Sequence, residues 1–113
     1  METLLCSLYD ALGLEMNIDE PALLIDEELM VHFDESPQGL EMICPLGEIP
    51  TDAALMRQAL QMNYAGPLIL ASDVDGEVLL ALVRMPDGSS GEELLAALEG
   101  LVQAAREIKS EFY

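Results

Sequence analysis

Residues 29–46 read Leu-Met-Val-His-Phe-Asp-Glu-Ser-Pro-Gln-Gly-Leu-Glu-Met-Ile-Cys-Pro-Leu. Apolar and polar side chains alternate from Leu29 to Asp34, which is the two-residue period of a β-strand. The tetrapeptide Ser36–Gly39 is a strong turn signal. Leu40–Leu46 is then predicted to form the next strand, and Pro45 is expected to end it. This stretch therefore predicts an antiparallel hairpin, which decides the fold class.

The chain before this hairpin predicts another strand and a short helix. Ala22–Ile25 reads as a strand that a tight connection, Asp26–Glu28, joins to the hairpin, so three strands form an antiparallel meander. Further back, Thr3–Leu12 places leucines on one helical face, with Thr3 suited to the N-cap and Gly13 to the position after the helix. The first half is thus predicted to be α-β-β-β.

The chain after the hairpin predicts a second helix and two more strands. Pro50-Thr51-Asp52 signals a helix start with Thr51 as the N-cap, and the helix is expected to stop near residues 64–67. Leu68–Leu70 and Val78–Val83 read as strands on either side of a hairpin turn at Asp75-Gly76.

The last helix has the clearest pattern in the chain. After a flexible loop at Asp87–Gly91, apolar side chains recur at helical spacing from Leu94 to Ile108. The predicted order is therefore α-β-β-β-α-β-β-α. This is an α+β fold in which one domain, residues 1–113, packs its helices on an antiparallel sheet.

The charge of the chain excludes several functions. It has 22 Asp and Glu against 4 Lys and Arg, a net charge of −18, and its first 56 residues contain 13 carboxylates and no Lys or Arg. Such a field repels phosphate backbones and anionic membrane surfaces, so neither nucleic acid nor membrane insertion is expected. No apolar run is long enough to span a bilayer, and Met1-Glu2-Thr3-Leu4 lacks the basic region with which a secretory signal begins. We therefore expect a cytoplasmic protein whose cysteines are reduced.

No pattern in the sequence predicts a catalytic residue. The histidine, His32, would need Cys6 or Cys44 beside it to form a nucleophilic pair, and no local signature supports that pairing. Both cysteines are interpreted as core residues. The carboxylate pairs Asp26/Glu27 and Asp34/Glu35 are expected by chance in so acidic a chain.

No pattern predicts a metal or a cofactor either. Asp73–Glu77 looks at first like part of a calcium loop, but Arg84 stands where the final bidentate Glu should be, so a hairpin turn is the better interpretation. A glycine-rich phosphate loop is also absent from the sequence.

Seven methionines on so acidic a chain are unusual. Methionine adapts to irregular partners and is frequent on promiscuous binding surfaces, although it also fills cores. Four of the seven lie in predicted strands or on the second helix: Met30, Met42, Met56 and Met62. Because so small a domain is not expected to bury all of its apolar residues by itself, the sequence predicts a binding protein that dimerises.

With this order of elements, length, acidity and lack of catalytic residues, the chain resembles the class I chaperones of bacterial type III secretion systems, the CesT-like family. The resemblance covers essentially the whole chain. Five stretches carry it: Leu8–Leu14, Leu24–Asp26, Leu40–Pro45, Asn63-Tyr64 and Leu79–Arg84. None of these stretches is diagnostic alone, and their order and spacing make the match specific.

The resemblance implies a homodimer that binds the N-terminal chaperone-binding segment of one secreted effector, holding it extended and without ATP. It further implies that this effector is an inositol phosphate phosphatase. An extended segment can add as a strand to an exposed sheet edge. The alternative from another class is an acidic mimic of nucleic acid that inhibits a basic DNA-binding protein, with a small hydrolase as a more distant one. High salt would dissolve the mimic's complex and largely spare strand addition.

Two sets of residues are predicted to form binding surfaces, and packing within the core is the alternative for every member. The candidate effector groove lies on the first helix and the adjoining strands: Leu5, Leu8, Leu12, Leu23, Ile25, Leu29 and Val31. The candidate dimer interface, by resemblance to the family, lies on the second helix and the strand after it: Leu55, Met56, Ala59, Leu60, Leu68 and Leu70.

Overall fold

The computed structural model describes residues 4–13, 22–25, 29–66 and 68–113. Within these ranges, three helices and five strands follow one another in the predicted order. The helices and strands are α1 (Leu4–Leu12), β1 (Ala22–Ile25), β2 (Leu29–Ser36), β3 (Gly39–Glu48), α2 (Ala53–Ala65), β4 (Ile69–Ser72), β5 (Val78–Pro86) and α3 (Gly91–Phe112). The predicted N-cap Thr3, the connection Asp26–Glu28 and the carboxylate pair Asp26/Glu27 lie outside the described residues.

The strands form one antiparallel sheet in the order β1-β2-β3-β5-β4. β3 lies at its centre, paired with β2 on one side and with β5 on the other. Opposite Met42 stand Phe33 of β2 and Val83 of β5, so these three side chains share one face of the sheet. The prediction of an antiparallel sheet is confirmed.

The helices α1 and α3 pack on one face of this sheet, which we call the inner face. Along β2 and β3 the apolar inner-face residues are buried, whereas Met30 and His32 on the outer face are exposed. Leu8 and Leu94 are each 0% exposed, and together with Met42 they lie in the core between helices and sheet. The alternation of apolar and polar residues in the sequence therefore corresponds to a buried inner face and an exposed outer face of the sheet.

Pro45 does not end β3. The register against β5 shifts between Pro45 and Gly47, and the strand continues to Glu48. A bulge of this kind accommodates a residue that has no N–H to donate to the ladder. The ring of Tyr113, at the end of α3, packs over Gly47, where a Cβ atom would lie 3.0 Å from the ring carbon Cε1.

Two helix starts differ from the prediction. Asp52 rather than Thr51 caps α2, because its Oδ1 accepts a hydrogen bond from the Ala54 N–H at 2.8 Å. Ser90, inside the predicted flexible loop, caps α3 through a reciprocal pair of hydrogen bonds with Glu93. Gly13 does follow α1, as predicted, with a φ of 72° that favours glycine.

The later strands extend beyond their predicted bounds. β4 begins at Ile69 and runs to Ser72, whereas β5 continues from Val78 to Pro86. The turn between them is the predicted hairpin, in which the Gly76 N–H donates to the Asp73 carbonyl at 3.1 Å. Oδ1 of Asp73 accepts from the N–H groups of Val78 and Glu77, and these bonds hold the pKa of that carboxyl below its usual value.

We expect Asp73→Asn to remove a pH-dependent contribution to stability. Because folding lowers the pKa of Asp73, its charge stabilises the folded state above the unfolded pKa of about 3.8. This contribution is lost as the pH falls through the lower, folded value. The free energy of unfolding should therefore be higher for the wild type than for the variant at neutral pH, and the difference should disappear in strong acid. Urea unfolding across this range measures it.

The matched control is Val74→Asn, which places the same amide side chain at the neighbouring, fully exposed position of the turn and removes no carboxyl group. A difference between wild type and Asp73→Asn that persists undiminished in acid would contradict the assignment.

Candidate functional site

The seven residues of the predicted effector groove separate into two sets in the structure. Leu5, Leu8, Leu29 and Val31 are buried in the core, with 7% exposure or less. The remaining residues, Leu12, Leu23 and Ile25, are only partly covered and lie at the margin of the core. A partner can therefore contact the second set directly, whereas the residues of the first set are core residues beneath that surface.

A cavity of about 480 Å³ lies beside the second set. Among the described residues, its apolar lining consists of Leu12, Ile25, Leu95, Leu98 and Val102. Four exposed polar side chains of α3 border it: Glu99, Gln103, Arg106 and Glu107. An apolar lining with a polar border is the usual anatomy of a site that takes a partner's side chains.

β1 is an edge strand of the sheet, and its outer face carries exposed apolar side chains. Leu24 stands opposite Met30 of β2, and the two are 55% and 39% exposed. Leu23 and Ile25 point to the opposite, inner face. A strand added beside β1 would thus meet apolar side chains on both of its faces.

The predicted dimer interface also divides by burial. Ala59 and Leu70 are each 7% exposed and belong to the core, whereas Leu55, Met56 and Leu68 are partly covered. Leu60 is 68% exposed.

Tyr64, which is 96% exposed on the same helix, is not among the residues predicted for the dimer interface. Met56, Leu60 and Tyr64 follow one another at intervals of four residues and so lie along one face of α2. We call these three residues the α2 stripe. The four-residue spacing of three apolar side chains was the signal that could have found Tyr64.

Two further polar residues organise these surfaces and were not predicted as site residues. Glu35 of β2 accepts hydrogen bonds from the first backbone N–H groups of α1, those of Leu4 and Leu5, at 3.0 and 3.2 Å. Asn63 of α2 bonds to both backbone groups of Leu70 in β4. Because each bond joins a helix to a strand, both residues set where a helix lies against the sheet.

The side chains considered for catalysis do not come together. Cys44 lies on the inner face of β3 and is fully buried, whereas His32 lies on the outer face of β2. Burial raises the pKa of the Cys44 thiol, with a smaller opposing effect from Lys109, so the thiol stays protonated at neutral pH. Adjacent residues of a strand point to opposite faces, which also separates Asp34 from Glu35.

Cys6 lies on α1, which packs on the inner face of the sheet, whereas His32 lies on the outer face. In the part of the chain that the structure describes, no group of three His, Cys, Asp or Glu side chains is arranged to hold a metal ion. None of the described helices is long and apolar enough to cross a membrane.

Comparison with known proteins places the chain in a family. Residues 3–113 match the type III secretion chaperone domain. The chaperone protein SigE of Salmonella typhi is 40% identical over 112 residues, which cover 99% of both chains. The chaperone protein IpgE of Shigella flexneri is 26% identical over 113 residues, 99% of this chain and 94% of its own.

A solved structure has the same fold. The Yersinia pestis type III secretion chaperone SycH, in complex with a stable fragment of YscM2, superposes with a TM-score of 0.73 at 24% identity, over 93% of this chain and 96% of SycH. The resemblance noted in the sequence is confirmed, and its class is a chaperone family rather than an enzyme family. The chain belongs to the type III secretion chaperone family.

Proposed function

We propose that this chain is an ATP-independent chaperone of type III secretion that binds the N-terminal chaperone-binding segment of one cognate effector. It acts as a homodimer in the bacterial cytoplasm, with residues 1–113 as one domain, and it stabilises the effector and keeps it competent for secretion. The observation that carries the proposal is the match of residues 3–113 to the type III secretion chaperone domain, and full-length similarity to the chaperone protein SigE supports it. The structure of SycH with a fragment of YscM2 supports a protein partner.

The effector we propose is an inositol phosphate phosphatase. The basis for this is the family resemblance in the sequence, together with the 40% identity to SigE.

Two features of the structure support binding of an extended segment at β1. β1 is an edge strand, so the backbone groups on the side that no described strand covers can pair with an added strand. The cavity beside Leu12 and Ile25 can take apolar side chains of that segment, and Leu24 and Met30 can contact others on the outer face. A segment held extended loses conformational entropy, so contacts on both faces are needed to offset that loss.

The α2 stripe supports the homodimer. Leu60 and Tyr64 are exposed apolar side chains on one helical face, and Met56 continues that face toward a cavity against β4. A second copy that covers this face would remove the apolar surface from water, which is the main driving force of association. The net charge of −18 keeps further copies apart and limits association to the specific interface.

Native co-purification of a tagged chain tests the proposal. We expect the chain to retain one larger protein as a complex with two chaperone subunits, and limited proteolysis to show a protected stretch near that protein's N-terminus. The complex should persist in high salt, because strand addition and apolar contacts are screened little. Recovery of a folded, basic DNA-binding protein that dissociates in high salt would contradict the proposal and favour the nucleic-acid mimic.

We expect Leu24→Asp and Ile25→Asp to weaken retention of the effector by about ten-fold or more, since each places a charge where an added strand would pack. Affinity measured by titration of the purified segment checks this. Val74→Asp, at the fully exposed tip of the β4–β5 turn, is the matched control and should bind as the wild type does. Wild-type affinity in both β1 variants, each shown to be folded, would move the binding site elsewhere.

We expect Leu60→Glu and Met56→Glu to split the dimer, because a buried charge in an apolar interface costs several kcal/mol when it has no partner. Sedimentation velocity should then give the mass of one subunit. The exposed turn residue again supplies the control, as Val74→Glu. If both stripe variants keep the mass of two subunits, the interface does not lie on the α2 stripe.

A further inference from the structure

The two edges of the sheet differ in how their backbone groups are used. β1 and β4 are the outermost strands, and each has one side that no other strand of the sheet covers. Such a side offers N–H and C=O groups to any incoming strand, which is a route to wrong pairing as well as to recognition. A protein that binds its partner by strand addition therefore needs a way to restrict addition to one edge.

On β4, the side chain of Asn63 occupies the place of a partner strand. The Leu70 N–H donates to Asn63 Oδ1 at 2.5 Å, and Asn63 Nδ2 donates to the Leu70 carbonyl at 3.0 Å. In an antiparallel ladder a residue uses its N–H and C=O toward the same neighbour, and a carboxamide presents one acceptor and one donor in the matching arrangement. One side chain thus satisfies both backbone groups that β4 presents at its centre.

The surroundings hold this amide in place. Asn63 lies one residue after Met62 in the last turn of α2, and the Gly66 N–H closes that turn on the Met62 carbonyl at 3.1 Å. Leu70 is 7% exposed, so its backbone groups would be costly to leave unpaired. On β1, by contrast, the side-chain bond found among the described residues is a long one, from the Tyr9 hydroxyl to the Ala22 carbonyl at 3.5 Å.

We propose that Asn63 closes the β4 edge by standing in for a partner strand, so that an extended partner segment adds at β1 and not at β4. The destination of the segment rests on the proposed function, whereas the closure of β4 does not. Asn63 is in this sense a specificity-determining residue. It does not contact the partner, and it acts by making the β4 edge unavailable for strand addition.

Asn63→Ala in the full chain tests the closure. The substitution removes both hydrogen bonds and opens space beside Leu70 while keeping a good helix former in α2. We expect the Leu70 amide to exchange its hydrogen about ten-fold faster or more by NMR. We also expect sedimentation velocity to show species heavier than the wild type that grow with concentration, as opened β4 edges pair with one another.

The matched control is Gln58→Ala. It removes another carboxamide of α2, whose Nε2 donates to Glu111 at 2.7 Å, away from the strand edge. Its Leu70 exchange and its mass should equal those of the wild type. Fast Leu70 exchange in Asn63→Ala without any heavier species would overturn the proposal, and so would an unchanged exchange rate.

If Asn63→Ala does not fold, Asn63→Asp tests the same proposal. Asp keeps an acceptor for the Leu70 N–H and loses the donor to the Leu70 carbonyl, so we expect a smaller rise in heavier species than for Asn63→Ala. A mass equal to that of the wild type would overturn the proposal that Asn63 closes the β4 edge. These measurements need no effector. Failure of the wild type to retain any effector would therefore count against the proposed function and leave the test of Asn63 intact.

Discussion

Pairing between β3 and β5 holds the two halves of the chain together. The ladder runs from Gly39 opposite Pro86 to Glu48 opposite Val78, and it joins one hairpin from each half into a single sheet. At Gly39 the strands approach so closely that a Cβ atom would lie 2.0 Å from the Met85 carbonyl oxygen, and the φ of 150° also favours glycine. Without this pairing neither α1 nor α3 would have a complete inner face on which to pack.

Burial of apolar side chains, rather than charge, stabilises this arrangement. Across β3 and β5, Arg84 Nε lies 2.6 Å from Glu41 Oε2, but the arginine side chain is 68% exposed, and such pairs contribute little. The large negative charge opposes compaction and favours solubility. The chain thus combines a conventional apolar core with a surface that repels its own copies, and this lets it carry exposed apolar side chains at β1 and on α2.

The polar residues that connect helices to strands position the exposed apolar surfaces beside β1 and on α2. Glu35 fastens the start of α1 to β2, and Asn63 fastens the end of α2 to β4. Because the partly covered Leu12 sits at the end of α1, and the α2 stripe spans the helix that Asn63 anchors, each connection positions one of the two surfaces. In both the proposed effector site and the proposed dimer interface, a helix joined to the sheet by hydrogen bonds carries apolar side chains that face solvent.

The sequence by itself determined the types and order of the elements, because alternation and helical spacing are local properties that burial then enforces. It could not determine that β3 continues past Pro45 through a bulge, because the bulge is a shift in the register between β3 and β5, two strands that are distant in the sequence. It also left open which apolar residues are exposed: Leu8 and Leu60 look alike in their helices, yet one is 0% and the other 68% exposed. The tertiary structure alone decided this, as it decided the roles of Glu35 and Asn63, because their partners lie on other elements and only the packing of helix on sheet brings them within hydrogen-bonding distance.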